Sequence, residues 1–563
     1  AGQLRPLPQA TIPGRDGSTD PTQWSEGFSE NSVQFMAEIC DQSDEPFARP
    51  TMKFTLVSLT ILATIGISTP ESASGQVVLN YNFKVGSAVP DGGELLDART
   101  VVGDNGPIAR AEVSVDLGPV VAGDGFNGDL YLSLGHVDKL AVLLNRPGIV
   151  TAGQLGYSDT EGMAVTFSDG AANGDIHVYR ETLNGNASTP LSGPLTGTWE
   201  PDGRLIDPHN VEQTTPRPAV LSVMDLLTTQ DEYRLLVADA SLGSAHLLRS
   251  WALHLDLSGS YTGPLNLFDT EVTVRDAVPR MVPNPVNLGG GVAFGGSQSF
   301  SFNGALRLLG SQTLQVANST TFNGSVGETG GAATLTKAGP GTLTLAAPGT
   351  YSGGTEVTAG RLVVNNVSGS GTGSGAVLVR NGAEISGTGS ISGGLTLESG
   401  AILRPGNAAG ALTVGSTLWK GGAIYVWEIN DADGSAGASS GWDQLKVAGG
   451  LTLSATAENP FLLNLVSLAP GGQAGPVFSF DSQKSYQWTI ATTGAGIAGF
   501  DPSKVAINPT GFTGSDPSQF HLVVQGNNLV LAYAVPEPST GILAMAGAAG
   551  LFWGRSRRSR LVE

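Results

Sequence analysis

Apolar and polar residues alternate with a period of two in short runs along most of the chain, and no segment carries a long helical period. Between 76 and 259 the runs are VVLNYNF at 77–83, AEVSVDL at 111–117, DLYLSL at 129–134, LAVLLN at 140–145, YRLLVAD at 233–239 and WALHLDL at 251–257. Each has the length of a half-buried strand, and clusters of Gly, Asp, Asn and Pro separate them. Such a series predicts an antiparallel β-sandwich. Trp251 alternates with Leu253 and Leu255 and is expected in its core.

From about 285 the runs become shorter and closer together. Within 333–415 the expected strands are Leu343–Leu345, Glu356–Val357, Leu362–Val364, Val377–Val379, Leu395–Leu397, Ala401–Leu403 and Leu412–Val414, with Gly, Asn or Ser at nearly every turn. Short strands repeated without helices predict a stacked parallel β-solenoid, preceded over 260–332 by a linker and its first rungs. Residues 416–534 return to longer runs, at 422–429, 451–455, 461–468, 486–491 and 520–533. They are expected to form a β-rich cap over the open end of the stack. Gly526-Asn527-Asn528 marks a hairpin within the last run. The fold class is therefore all-β: an antiparallel sandwich, a stacked parallel β-solenoid and a cap.

Composition narrows the function classes. Charged residues make up 14% and Gly 79 of 563 positions, and the formal net charge is −20. An acidic chain without a basic stripe is not expected to bind nucleic acid. Divalent cations or neutral glycans suit its surface better. The one cysteine, Cys40, lies in the polar segment 1–51, which begins without Met. That segment reads as a non-native upstream extension or a long leader. Met52-Lys53, the apolar run Phe54–Ile67 and the small residues that follow form a signal peptide over 52–75, with cleavage near Ser74, Gly75 and Gln76. Export through the Sec machinery follows from it.

The far end carries a third kind of pattern. Val535-Pro536-Glu537-Pro538 is followed by an uncharged apolar run of 14 residues, Gly541 to Gly554, and then by Arg555, Arg557, Arg558 and Arg560. The apolar run is short of the ~20 residues of a permanent span, and the arginines hold its end on the cytoplasmic side. Residues 535–560 resemble the PEP-CTERM sorting signal of Gram-negative bacteria. That resemblance implies transient insertion into the inner membrane, processing by an exosortase-type membrane peptidase, and delivery to the cell surface or extracellular matrix. A short unprocessed membrane anchor is the other reading.

Two internal blocks carry further resemblances. Leu335-Thr336-Lys337, Gly339, Gly341-Thr342-Leu343-Thr344-Leu345, Tyr351-Ser352-Gly353-Gly354-Thr355, Ala359-Gly360-Arg361-Leu362 and Arg404-Pro405-Gly406 resemble the autotransporter-associated β-strand repeat, which implies a right-handed β-helix. The sorting tail stands where such a protein would carry a membrane barrel, so self-transport is not implied. Gly128-Asp129-Leu130, with the later strand through Asp239 and Leu248-Arg249-Ser250-Trp251, resembles the P (Homo B) domain attached to proprotein convertases. The P-domain turn is replaced here by GHVDK at 135–139. That resemblance implies a jelly roll and places calcium at Asp129 and Asp239, with Asp124 and Asn127 just upstream. Turn chemistry accounts for the same residues without a metal.

Catalytic groups are sparse. Gly437-Ala438-Ser439-Ser440-Gly441 satisfies G-x-S-x-G, but its flanks promise neither the strand nor the helix of a nucleophile elbow. Asp431-Ala432-Asp433-Gly434 opens like a calcium loop, yet Trp442 stands where the twelfth-position Glu belongs. The six histidines lack metal-ligand spacing and are expected at the surface or in turns. The charged residues of 333–415 (Lys337, Glu356, Arg361, Arg380, Glu384, Glu398 and Arg404) suggest no carboxylate pair. Three readings follow: a non-enzymatic surface or matrix protein held among exopolysaccharides, a carbohydrate-active β-helix enzyme (lyase or hydrolase), and a calcium-dependent adhesin.

Overall fold

Residues 77–536, apart from 244, 276, 277 and 470, are described by a computed structural model. The first ten strands are β1 (Val77–Val89), β2 (Glu94–Val101), β3 (Ile108–Pro119), β4 (Leu130–His136), β5 (Lys139–Asn145), β6 (Met163–Phe167), β7 (Leu195–Trp199), β8 (Asp231–Asp239), β9 (His246–Leu257) and β10 (Leu265–Val274). They form two facing sheets, β7-β6-β3-β9-β1-β10 and β2-β8-β4-β5. All pairs are antiparallel except β6 with β7. Alternation drives the packing: Leu79, Tyr81, Val113, Val115, Leu253 and Leu255 turn inward and are buried. Trp251 is 2% exposed, and its indole donates to Asp97 at 2.6 Å.

The sandwich and the solenoid share one sheet. Strand β10 pairs antiparallel with β1 on one side and parallel with Val286–Phe294 on the other. From there parallel pairing runs without a break to Ile497–Ala498 on one face. A second face stacks from Arg280–Val282 to Val505–Gly511. The third is narrower, made of single bridges such as Ser390 to Thr413 until Ala411–Val414 and Gln444–Val447 widen it. The sandwich therefore covers the first rung.

A turn of the stack takes 18 residues where Glu384 lies beside Ile402 and 23 where Thr320 lies beside Leu343. Each rung buries a few side chains such as Leu335, Leu343, Val357 and Leu362. At ~1.5–3 kcal/mol each, these cannot offset ordering of the rung's residues at ~1–2 kcal/mol apiece. Stability therefore comes from stacking. Aromatic rings fill the two ends: Phe294, Phe300, Phe302 and Phe322 near the sandwich, and Trp419, Tyr425 and Phe461 farther along.

Solenoid pairing continues well into the segment expected to be a separate cap. Ile424–Ile429, Phe461–Ser467 and Val505–Gly511 are successive strands of one face. The closing element is the hairpin Phe520–Gln525 and Asn528–Tyr533, which turns at Gly526 with φ +60° and packs antiparallel on Tyr486–Thr493. It replaces parallel growth with antiparallel pairing and so blocks further stacking.

Candidate functional sites

Strand pairing brings together the two aspartates singled out for calcium. Leu130 lies opposite Asp239, which sets Asp129 at the same end of the sheet. Both are buried, and Arg146, in the left-handed conformation at φ +45°, reaches within 3.8 Å of Asp129 Oδ1. His246 Nδ1 lies 3.1 Å from Asp239 Oδ2, and the Ser241 amide donates to Oδ1 at 3.2 Å. Burial pushes Asp129 up, opposed by the Arg146 charge, and pushes Arg146 down, opposed by Asp129 and Asp239. Calcium takes six to eight oxygen ligands. Here a guanidinium and an imidazole occupy the carboxylates instead, and this donor set does not fit the ion. Asn127 donates to Gly162 at 3.3 Å, and Asp124 closes a turn on Val121. Among the described residues no group of three or more His, Cys, Asp or Glu gathers as a metal site.

Three of the six histidines are buried rather than exposed. His136 is bonded to the carbonyls of Thr228 and Glu232 and stacks on Tyr233 at 3.9 Å. His177 lies 2.7 Å from Asp202 and 2.9 Å from the Ile149 carbonyl. Arg204 extends that cluster to Asp175 at 2.8 Å. His246 completes the set. Single, well-spaced histidines gave no signal of this, because their partners are 7 to 96 residues away.

A fourth histidine forms a nucleophile-like relay that sequence reading missed. His254 Nε2 lies 3.0 Å from Ser114 Oγ, and its Nδ1 lies 2.7 Å from Asn80 Oδ1. The Asn80 amide nitrogen donates to the Glu271 carbonyl and Thr273 Oγ1, so its oxygen faces the imidazole. That fixes the proton on Nδ1 and leaves Nε2 to accept from Ser114. Burial lowers the His254 pKa, opposed by the Glu112 charge. Ser114 lies on β3, paired on both sides by β6 and β9. Main-chain N–H groups there are committed to the ladder, so no oxyanion site adjoins the hydroxyl. The relay is a side-chain ladder across a sheet.

The remaining candidates separate. Gly437–Gly441 lies in a loop of turns with no strand before it and no helix after it. Asp431 caps its own turn by accepting from the Asp433 amide at 3.2 Å. The charged residues of 333–415 pair across adjacent rungs: Arg380 with Glu356 at 2.6 Å, Lys420 with Glu398 at 2.8 Å, and Arg361 with Glu384 at 3.0 Å. Arg404 continues from Glu384 at 3.3 Å to Glu428 at 2.6 Å. Each carboxylate faces a cation, which suits a stacking ladder rather than general acid–base work.

Lys337 is the exception, since its side chain points into the stack and is fully buried. Its ammonium donates to the carbonyls of Ala338, Gly339 and Ala359 at 3.0, 2.7 and 3.0 Å. Burial pushes its pKa down to about 8. The turn residues Gly339 and Gly360 both have positive φ, and a Cβ on Gly360 would come within 2.5 Å of the Gly339 carbonyl. The L-T-K-x-G spacing thus encodes a corner, with the lysine tying one turn to the next.

The described residues end just beyond the capping hairpin. The Val535 amide donates to Ser485 Oγ at 3.0 Å, and Pro536 is exposed. Glu537, Pro538, the apolar run and Arg555, Arg557 and Arg558 lie outside the described residues, as do Ser74, Gly75 and Gln76. Among the described residues no helix is long and apolar enough to cross a membrane. A search of curated proteins returned no match. Two family models match: the passenger-associated-transport-repeat at 335–364 and the PEP-CTERM protein-sorting motif at 534–558. The first falls on the Lys337 corner and the second starts at the folded edge. The chain is thus a β-solenoid protein that carries a passenger-type repeat and a PEP-CTERM motif, which implies sorting by an exosortase to an extracellular destination.

Proposed function

We propose that this is a non-enzymatic protein of the cell surface or extracellular matrix of a Gram-negative bacterium, retained among exopolysaccharides. The sorting motif carries the reading. It begins at residue 534, one position before the amide that is bonded to Ser485, so the folded body adjoins the processing signal directly. The body suits display: its sheets are continuous from sandwich to hairpin, and both ends are closed. Its carboxylates in the repeat are engaged in ion pairs, which supports a binding or structural role over hydrolysis.

Cell fractionation tests this. Intact protein is expected outside the cell or on its surface, and protein lacking 534–563 is expected to leave that fraction. Identical distributions of the two would overturn the sorting reading.

A further inference from the structure

Where the sandwich meets the first rung, a cleft of about 310 Å³ opens between the loop after β9 and the strand Arg280–Val282. Its floor is apolar, made of Val77, Leu257, Leu265 and Val282, all buried. Its polar rim is formed by Ser258, Tyr261, Thr262, Arg280 and Asn284. The volume falls at the lower end of small-ligand sites.

Three observations give the cleft a chemistry. First, among the described residues no Asp or Glu lines it, although the chain as a whole carries a formal charge of −20. Second, every other described arginine except Arg307 has a carboxylate within 4.0 Å, whereas Arg280 has none among the described residues. The Nε of Arg280 is buried without a hydrogen-bond partner among the described residues, as are those of Arg110, Arg146 and Arg204, and burial lowers the Arg280 pKa. Third, the Tyr261 ring is held in place. It packs so closely on Gly106 and Gly263 that a Cβ at either would lie 2.5 Å from a ring carbon. Its hydroxyl donates to the Pro264 carbonyl at 3.2 Å, and Asn284 ties the loop by donating to the carbonyls of Tyr261 and Gly263 at 2.9 and 2.8 Å.

We propose that this cleft binds a carboxylated sugar, a hexuronate unit of an acidic polysaccharide, with the Arg280 guanidinium on its carboxylate and the Tyr261 ring against its apolar face. The planar fork of arginine matches a carboxylate. A fixed aromatic ring beside hydroxyl and amide groups suits a sugar, which presents C–H on one face and O–H at its edge. This rests on the reading of the protein as one retained among exopolysaccharides, and names the glycan class it would hold.

The test is titration calorimetry of the intact purified chain with a galacturonate trisaccharide, beside a neutral galactose trisaccharide of equal length. The uronate is expected to bind and the neutral sugar not to. Arg280→Met is expected to weaken binding roughly ten- to a hundredfold, the worth of a hydrogen bond to a charged partner. Arg307→Met removes the same charge from an exposed strand position and is expected to bind as the parent does. Arg280→Lys, which keeps the charge and loses the fork, is expected to fall between and serves if Arg280→Met does not fold. Absence of uronate binding, equal binding of both sugars, unchanged binding by the Arg280 variants, or an equal loss with Arg307→Met would each overturn the proposal. None of these outcomes bears on where the protein is delivered, so failure here is distinct from failure of the sorting reading.

Discussion

The Nζ of Lys337 stands 3.0 Å from the carbonyl oxygen of Ala359, which belongs to the next rung of the stack. A cation inside a β-solenoid is stable here because three carbonyl oxygens replace its water. Lys337→Met keeps the aliphatic stem and removes the donor, leaving buried carbonyls short of a partner. It is expected to lower stability by about 1–3 kcal/mol, read as a lower midpoint in urea. A variant as stable as the parent would show that the corner holds without the ammonium.

Trp419 stacks on Phe461 with ring centroids 4.4 Å apart, in the wider part of the stack. Its indole nitrogen is buried without a hydrogen-bond partner among the described residues. The ring therefore acts through volume alone. Trp419→Ala is expected to cost about 3–5 kcal/mol, whereas Trp419→Phe is expected to cost much less, since no hydrogen bond is lost. Chemical denaturation of the two variants checks the order.

The His254 relay predicts a pH dependence. Burial holds the folded-state pKa below the unfolded value, so the neutral ring favours the fold. Its contribution is complete above the unfolded pKa of about 6.5 and is lost as pH falls through the lower folded value. The stability gap between the parent and His254→Gln should therefore narrow as pH falls from neutral through that range. A widening gap would contradict the assignment. A fluorophosphonate probe is expected to leave Ser114 unlabelled, because the strand around it offers no oxyanion donors.

Calcium is expected to have no effect on the sandwich. With Arg146 and His246 already facing Asp129 and Asp239, neither millimolar calcium nor a chelator should move the unfolding temperature. A rise with calcium would restore the metal reading.

Much of the strand pattern was legible in the sequence because it is local. Val377–Val379 and Leu395–Leu397 stand where alternation placed them, and the hairpin turns at the Gly526-Asn527 signal. What joins the strands was not legible. The pairing of β10 with both β1 and Val286–Phe294, which welds the sandwich to the solenoid, links residues with no pattern in common. For the same reason the solenoid's extension to Gly511 was hidden: inserted loops stretch one turn from Ile424 to Leu462, and the repeat period is lost. Asp129 and Asp239 carry a motif resemblance, whereas Arg146, which reaches Asp129 from just past the end of β5, belongs to no motif. Lys337 was visible as part of a repeat, while its inward direction depends on the corner geometry of Gly339 and Gly360.

On the proposed reading this solenoid is exported and its tail is processed at the PEP-CTERM motif. Intact-mass measurement of the protein recovered outside the cell tests it most directly. The predicted mass corresponds to a chain that starts near Gln76 and lacks the arginine cluster Arg555–Arg560. A secreted chain that keeps those arginines, or one found only inside the cell, would contradict it.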